Sequence, residues 1–419
     1  MLVQAIRLVG ASAAAWLIIA GGGARAVAQA PATPTSPPRW VRHHLVVENI
    51  RHVRVDTSGW VWVRMPGSGG GTSDLVLGIG PNGRPQVQGM LGNVIAKRAD
   101  AIRRQGDLAD FWAVDLDGRV WVGPSYFDGR SWTVVDRGGA RELGTLRYDG
   151  RAAVDAKGLA WAPYIATPQC PGADPCDLRG LRAFDAKGLR DAITFEPMRE
   201  ADAYGVADVH LVPFSEASPQ SPTRKSPLAA AARTGLYTLP DPKPLPYPFL
   251  GPPASPTDLR NAGYATAAAR HPDGRLVVLT WVEIQTRDGA EARVFANPFT
   301  EGKGWGESED WTLESPLVEG RAKGVRLVAL AFAPDRGLGG EELWAASSAG
   351  EVGRRLDGAW GPHFTAGEIG LPAKARVRDV AVGADGTVWL ATSDGLFSFG
   401  AIEPIGLPGR VALPLVVRR

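Results

Sequence analysis

Six side chains at matching places in a recurring strand pattern could do chemistry: His52, Arg54, Arg151, Asp208, His210 and Asp379. Imidazoles and carboxylates are suited to metal ligation. A His/Asp pair with an Arg nearby could instead act as acid and base on an acidic sugar or a lactone. The same charges could also satisfy one another, as Asp208–Arg151 and Asp379–Arg54 pairs beside a water-filled channel. Aligning the repeats gives these residues their places. The position between two apolar residues reads Arg54, Ala113, Ala153, His210, Ala269, Ala331 and Ala381. Two residues earlier, on the same strand face, come His52, Phe111, Arg151, Asp208, Ala267, Ala329 and Asp379. Alanine suits strands that converge on a crowded axis, and Arg54 and His210 break that rule. Strand starts should lie near one mouth of the central channel, so the six polar residues are expected to gather there as a ligand site.

The elements that must position them are short strands joined by tight turns. The stretch VAVGADGTVWLATSDGLFSF at 380–399 has the form strand, Asp-Gly turn, strand, turn, strand. Alternation of apolar and polar residues marks its strands. The same unit recurs as VRVDTSGWVWV at 53–63, WAVDLDGRVWVG at 112–123, AAVDAKGLAWA at 152–162 and AAARHPDGRLVVL at 267–279. It recurs with a longer turn as VALAFAPDRGLGGEELWA at 328–345. A degenerate copy combines YGVADVHLVPF at 204–214 with LAAAARTGLYTLP at 228–240, its turn expanded by a Ser/Pro-rich insertion. Units starting about 40–62 residues apart suit propeller blades with variable loops. The fold class expected is therefore all-β: a seven-bladed β-propeller of four-stranded antiparallel blades.

The Asp-Gly and Ser-Gly pairs read as two-residue turns, with Gly supplying positive φ. Segments such as SYFDGRSWTVVD and GRRLDGAWGPH read as outer hairpins. Trp62, Trp121, Trp161 and Trp389 each fall three residues after the turn glycine, and Trp344 holds the same place after the longer turn. This column is expected to pack between blades. Trp60 is off the column and so free to meet a ligand. No helical 3.6-residue period is read in the mature chain. RWVRHHLVVENI near the start and VALPLVVRR at the end are both strand-like, and one of them is expected to close the ring. By that reading, truncating 411–419 should destabilise the whole ring. His43 and His44 point to opposite faces of a strand and are read as surface residues.

The unit V-x-V-D-x-x-G-x-V-W-V-G, with G-L-x-x-F downstream, resembles the two-component-regulator propeller repeat, most strongly at 114–123 and 380–399. That resemblance implies a sensor-like periplasmic propeller. The sensor proteins continue into a transmembrane helix and a kinase module, and this sequence has neither after its repeats. The expectation is a free-standing, exported sensor-type propeller. DLDGRVW is also similar to the Asp-box of sialidase-type propellers. The Asp-box places a residue between Asp and Gly, whereas Asp117 and Gly118 are adjacent, so sialidase chemistry is not expected.

Bulk properties narrow the function further. A net charge of +2 over 419 residues, with Lys and Arg spread along the chain, gives no footprint for nucleic acid. Residues 1–28 carry Arg7, an apolar run and small residues in A-x-A spacing, which is a signal-peptide pattern with cleavage after Ala28. Residues 29–39 are a Pro-rich linker and 40–419 a single propeller domain. Export makes Cys170 and Cys176, the two cysteines of the chain, a small loop disulfide. No membrane span is expected after cleavage, and the product should be periplasmic or secreted and monomeric. No metal and no other cofactor is expected. No catalytic motif stands in a supporting context, so the function expected is non-catalytic binding of a small polar ligand, a glycan or a protein partner. The alternative is a propeller enzyme, lactonase- or lyase-like, with its site at the channel mouth.

Overall fold

A computed structural model of the chain describes residues 38–400 apart from 44–48, 57, 68–70, 106–110, 137–144, 149–150, 156, 168–175, 195–197, 200–209, 214–227, 233–234, 240–243, 249–263, 287–288, 313–314, 318–324 and 335–340. The signal-peptide segment, linker residues 29–37, Cys170, Asp208, His44 and the C-terminal 401–419 therefore lie outside the described residues. So does the side chain of Cys176.

A three-residue hairpin loop generates the repeat. The Asp56 amide donates to the Trp60 carbonyl and the Gly59 amide to the Asp56 carbonyl, both at 2.9 Å. The same two bonds recur around Asp115, Asp155, His271 and Gly383. Each loop glycine sits at positive φ, 76° at Gly59 and 75° at Gly118. The two-residue turn expected from sequence is corrected here: the inner hairpins use a three-residue loop ending in a left-handed glycine. The two-residue form appears in an outer hairpin, where Asp357 and Gly358 both have positive φ between paired Leu356 and Ala359.

In three loops the leading aspartate binds the repeat together. Asp115 Oδ1 accepts the amides of Asp117 and Arg119, and Oδ2 accepts Trp121 Nε1 at 2.8 Å. Asp56 does the same for Ser58, Trp60 and Trp62, and Asp155 for Lys157, Leu159 and Trp161. A buried carboxylate is tolerated because its acceptor sites are filled by fixed donors.

The described strands pair into seven antiparallel sheets, numbered I–VII in chain order. Their inner strands are His52–Val55, Ala113–Val114, Ala153–Val154, His210–Pro213, Tyr264–Arg270, Leu327–Phe332 and Val377–Val382. Six of these sheets carry the repeat as blades of an all-β propeller. Sheet IV, between His210 and Leu245, is described less completely because 200–209, 214–227 and 240–243 fall outside. The inner-strand columns read from sequence match the register. Arg54, Ala113, Ala153, Ala331 and Ala381 stand opposite Trp62, Trp121, Trp161, Trp344 and Trp389. Each of those tryptophans faces the next sheet. Trp389 of sheet VII packs with Val53, Val63 and Ile79 of sheet I, and Trp62 packs with Phe111, Trp112 and Val122 of sheet II.

One feature departs from the sequence reading, and the choice of closing strand left open there is decided. Leu91–Gln105 forms a helix, α1, between sheets I and II. Its Leu91, Val94, Ile95, Ala99 and Ile102 are buried in one cluster with Trp62, Phe111 and Trp112. That spacing is a helical stripe, so the expectation of no helix in the mature chain is corrected. The ring is closed by Arg39–His43, which lies antiparallel to Gly395–Gly400 as the outer strand of sheet VII. The strand begins at Arg39, one residue inside the segment read as linker. With the closing strand supplied by the N-terminal side, the expectation for truncating 411–419 loses its basis.

Candidate functional site

Four of the six predicted residues sit at the starts of the inner strands with described side chains. Asp379 projects from sheet VII onto sheet I. Its Oδ2 accepts Arg54 Nη1 at 2.5 Å and the Val53 amide at 3.1 Å, and His52 Nδ1 lies 3.6 Å away. Its Oδ1 accepts the amide of Val380. The His52 and Asp379 side chains are 11% and 13% exposed, so the pair interacts away from bulk water. Burial works to raise the Asp379 carboxyl. The Arg54 guanidinium, then the His52 ring and the Val53 amide, outweigh it and hold the group below the usual carboxylate range.

His52 experiences the opposite balance. Burial first, then the Arg151 guanidinium, push its pKa below the ordinary 6.5, against the pull of Asp379. Arg64 adds to the depression. The ring meets Phe111 of sheet II edge-on at 6.3 Å. His52 is therefore a neutral imidazole at neutral pH. Arg151 is buried at the start of sheet III.

The Asp379–Arg54 pair weighed in the sequence is present. The Asp208–Arg151 pair and the side chain of His210 lie outside the described residues. Among those residues, no group of three or more His, Cys, Asp or Glu could hold a metal ion. His43, read as a surface residue, is 2% exposed. It pairs through Nε2 with Ser398 Oγ at 2.8 Å and stacks on Trp389, because the strand it lies on is the closing strand. Trp60, read as free, stacks on Trp62 and is covered by the Arg98 guanidinium 4.2 Å from its ring. The helix that supplies Arg98 was the element missed.

Sequence reasoning also missed Arg64. It is a fully buried member of the strand Val61–Met65. It lies directly opposite His52. Counting the register outward from Arg54 and Trp62 would have paired them. Its Nε donates to Asp74 Oδ2 at 2.6 Å, and Nη2 contacts the same oxygen. Away from the mouth, a cleft of about 400 Å³ is lined by Leu239, Leu245 and Phe299 on strands of sheets IV and V and by Glu301 in the turn after Thr300. It holds none of the predicted residues.

No protein-family model matches the sequence, and no curated protein does. Among solved structures, the chain is similar to a streptogramin B lyase at 13% identity and a TM-score of 0.44, covering 87% of this chain and 97% of that one. It is similar to the extracellular domain of a putative one-component system from B. thetaiotaomicron at 11% identity and a TM-score of 0.35, covering 86% and 39%. It is similar to YCF48 bound to D1 peptide at 13% identity and a TM-score of 0.39, covering 89% and 97%. These likenesses concern the fold, and they span proteins of unlike function.

Proposed function

We propose that this chain is an exported β-propeller of seven blades that binds a small polar ligand, a glycan or a partner protein without transforming it. The observation that carries this is the commitment of Asp379. It is the one predicted carboxylate whose side chain is described, and its oxygens are held by Arg54, by two backbone amides and by the nearby His52. A base held below its usual range by a fixed cation is poorly matched to proton transfer near neutral pH. His52, Arg54, Arg151, Asp208, His210 and Asp379 form the proposed ligand surface, with Asp379 ordering it.

The count of seven is supported by sheet IV packing on both neighbours. Its Ala230 and Tyr237 cluster with Trp161 of sheet III, and its Ala229 and Leu236 with Val278 of sheet V. Export is supported by the apolar, small-residue pattern of 1–28, and an oxidised Cys170–Cys176 loop would accompany it. No described helix is long and apolar enough to cross a membrane.

The enzymatic alternative has one observation in its favour, a neutral His52 beside an ionised Asp379. Both readings are tested by incubating the purified protein with lactones and acidic saccharides, alongside a glycan array and a partner pull-down. Binding without turnover is expected. Turnover that disappears in His52→Gln would overturn the non-catalytic reading.

A further inference from the structure

We infer that the mouth receives an anionic group of its ligand, a carboxylate or comparable oxyanion, against the free edge of Arg64 with His52 and Arg151 beside it. This deepens the binding-module reading and rests on it. The guanidinium of Arg64 is planar and offers donors along two edges. Asp74 meets one edge, where its Oδ2 accepts from Nε and lies against Nη2. Asp74 cannot swing to cover the other, because its second oxygen accepts the Gly67 amide at 3.0 Å. Arg64 Nη1 is buried, and among the described residues it has no hydrogen-bond acceptor. A buried charged donor without an acceptor is rare in folded proteins and marks a place where an acceptor belongs.

The surroundings favour a negative charge there. Arg64 stands opposite His52 across the strand pair, and Arg151 acts on the same imidazole. Arg54 lies two residues further along the His52 strand, bound to Asp379. Arg64 is fully buried, so an anion that reaches it is withdrawn from water and gains more from the pairing than it would on an open surface. A fork of guanidinium N–H groups matches the two oxygens of a carboxylate. A neutral sugar or an apolar peptide would leave that edge as it is.

The test uses the full mature chain and calorimetric titration at fixed ionic strength. The probes are glucuronate, sulfate and phosphate, with glucose as the neutral control. Wild type should bind at least one anionic probe and not glucose. Arg151→Met should raise the dissociation constant by about tenfold or more. Arg64→Met alone leaves Asp74 without its partner and could fail to fold. The double variant Arg64→Met/Asp74→Leu removes both charges together, which folded proteins often tolerate. With its circular dichroism unchanged, it should lose anion binding.

Equal binding in wild type and the folded double variant would overturn the inference. So would a wild type that responds to no anion. A neutral glycan or peptide that binds through Arg54, with no anion response, would overturn this inference and leave the binding-module reading standing. Turnover of a lactone or saccharide would instead count against the non-catalytic reading.

Discussion

Asp56, Asp115 and Asp155 each bind two loop amides and an indole N–H, so a single carboxylate holds both the turn and the inter-sheet tryptophan. Replacing Asp115 by Ala leaves those three donors without their acceptor. The expected loss is about 2–4 kcal/mol, read from urea denaturation. The Trp121→Phe variant should lose less, because it leaves the loop bonds in place. His52 gives a pH dependence of definite sign. Its folded pKa lies below the unfolded 6.5, so the unfolded chain takes up the proton first. The stability it contributes is therefore full above about pH 6.5 and falls as pH drops from there towards the lowered folded value. Asp379, held low by Arg54, contributes stability that is present above 3.8 and is lost in a separate, more acidic window. A pH series of denaturation midpoints should show the upper window in wild type and not in His52→Gln.

At the scale of elements, what was legible in the sequence was what the turn chemistry and the period of two dictate. The hairpin units, the tryptophan column and the small residues opposite it follow from local rules. The length of the inner loop did not, because Asp-Gly adjacency fits both a two-residue turn and the end of a three-residue loop. Helix α1 was hidden among basic residues and alanines, although Leu91, Val94, Ile95 and Ile102 keep the helical spacing. It fills the gap between sheets I and II, so Ile95→Ala should cost about 2–5 kcal/mol. A cost below about 1 kcal/mol would mean that the helix is peripheral to the core. Of the candidate site, the Asp379–Arg54 contact was legible because repeat alignment puts both near one mouth. Arg64 was not read, because strand alternation assigns a face and does not say whether a neighbouring sheet covers it.

For the whole molecule, ring closure depends on Arg39–His43. That strand covers the edge of Gly395–Gly400 and brings His43 onto Ser398 and Trp389. Deleting 38–43 should lower the melting temperature and expose sheet VII to proteolysis. An unchanged melting temperature would show that the ring does not depend on this strand. Asp379 serves the same closure from the inside, by tying the last sheet to the first. That structural commitment is the centre of the account, since it separates a binding propeller from an acid–base site. A double-mutant cycle of Asp379→Asn and Arg54→Gln, followed by urea denaturation, tests it most directly. The expected result is a destabilised Asp379→Asn and a coupling energy of about 1–3 kcal/mol between the two positions. Additive effects within about 0.5 kcal/mol, with Asp379→Asn as stable as wild type, would contradict it and return Asp379 to the pool of candidate catalytic groups.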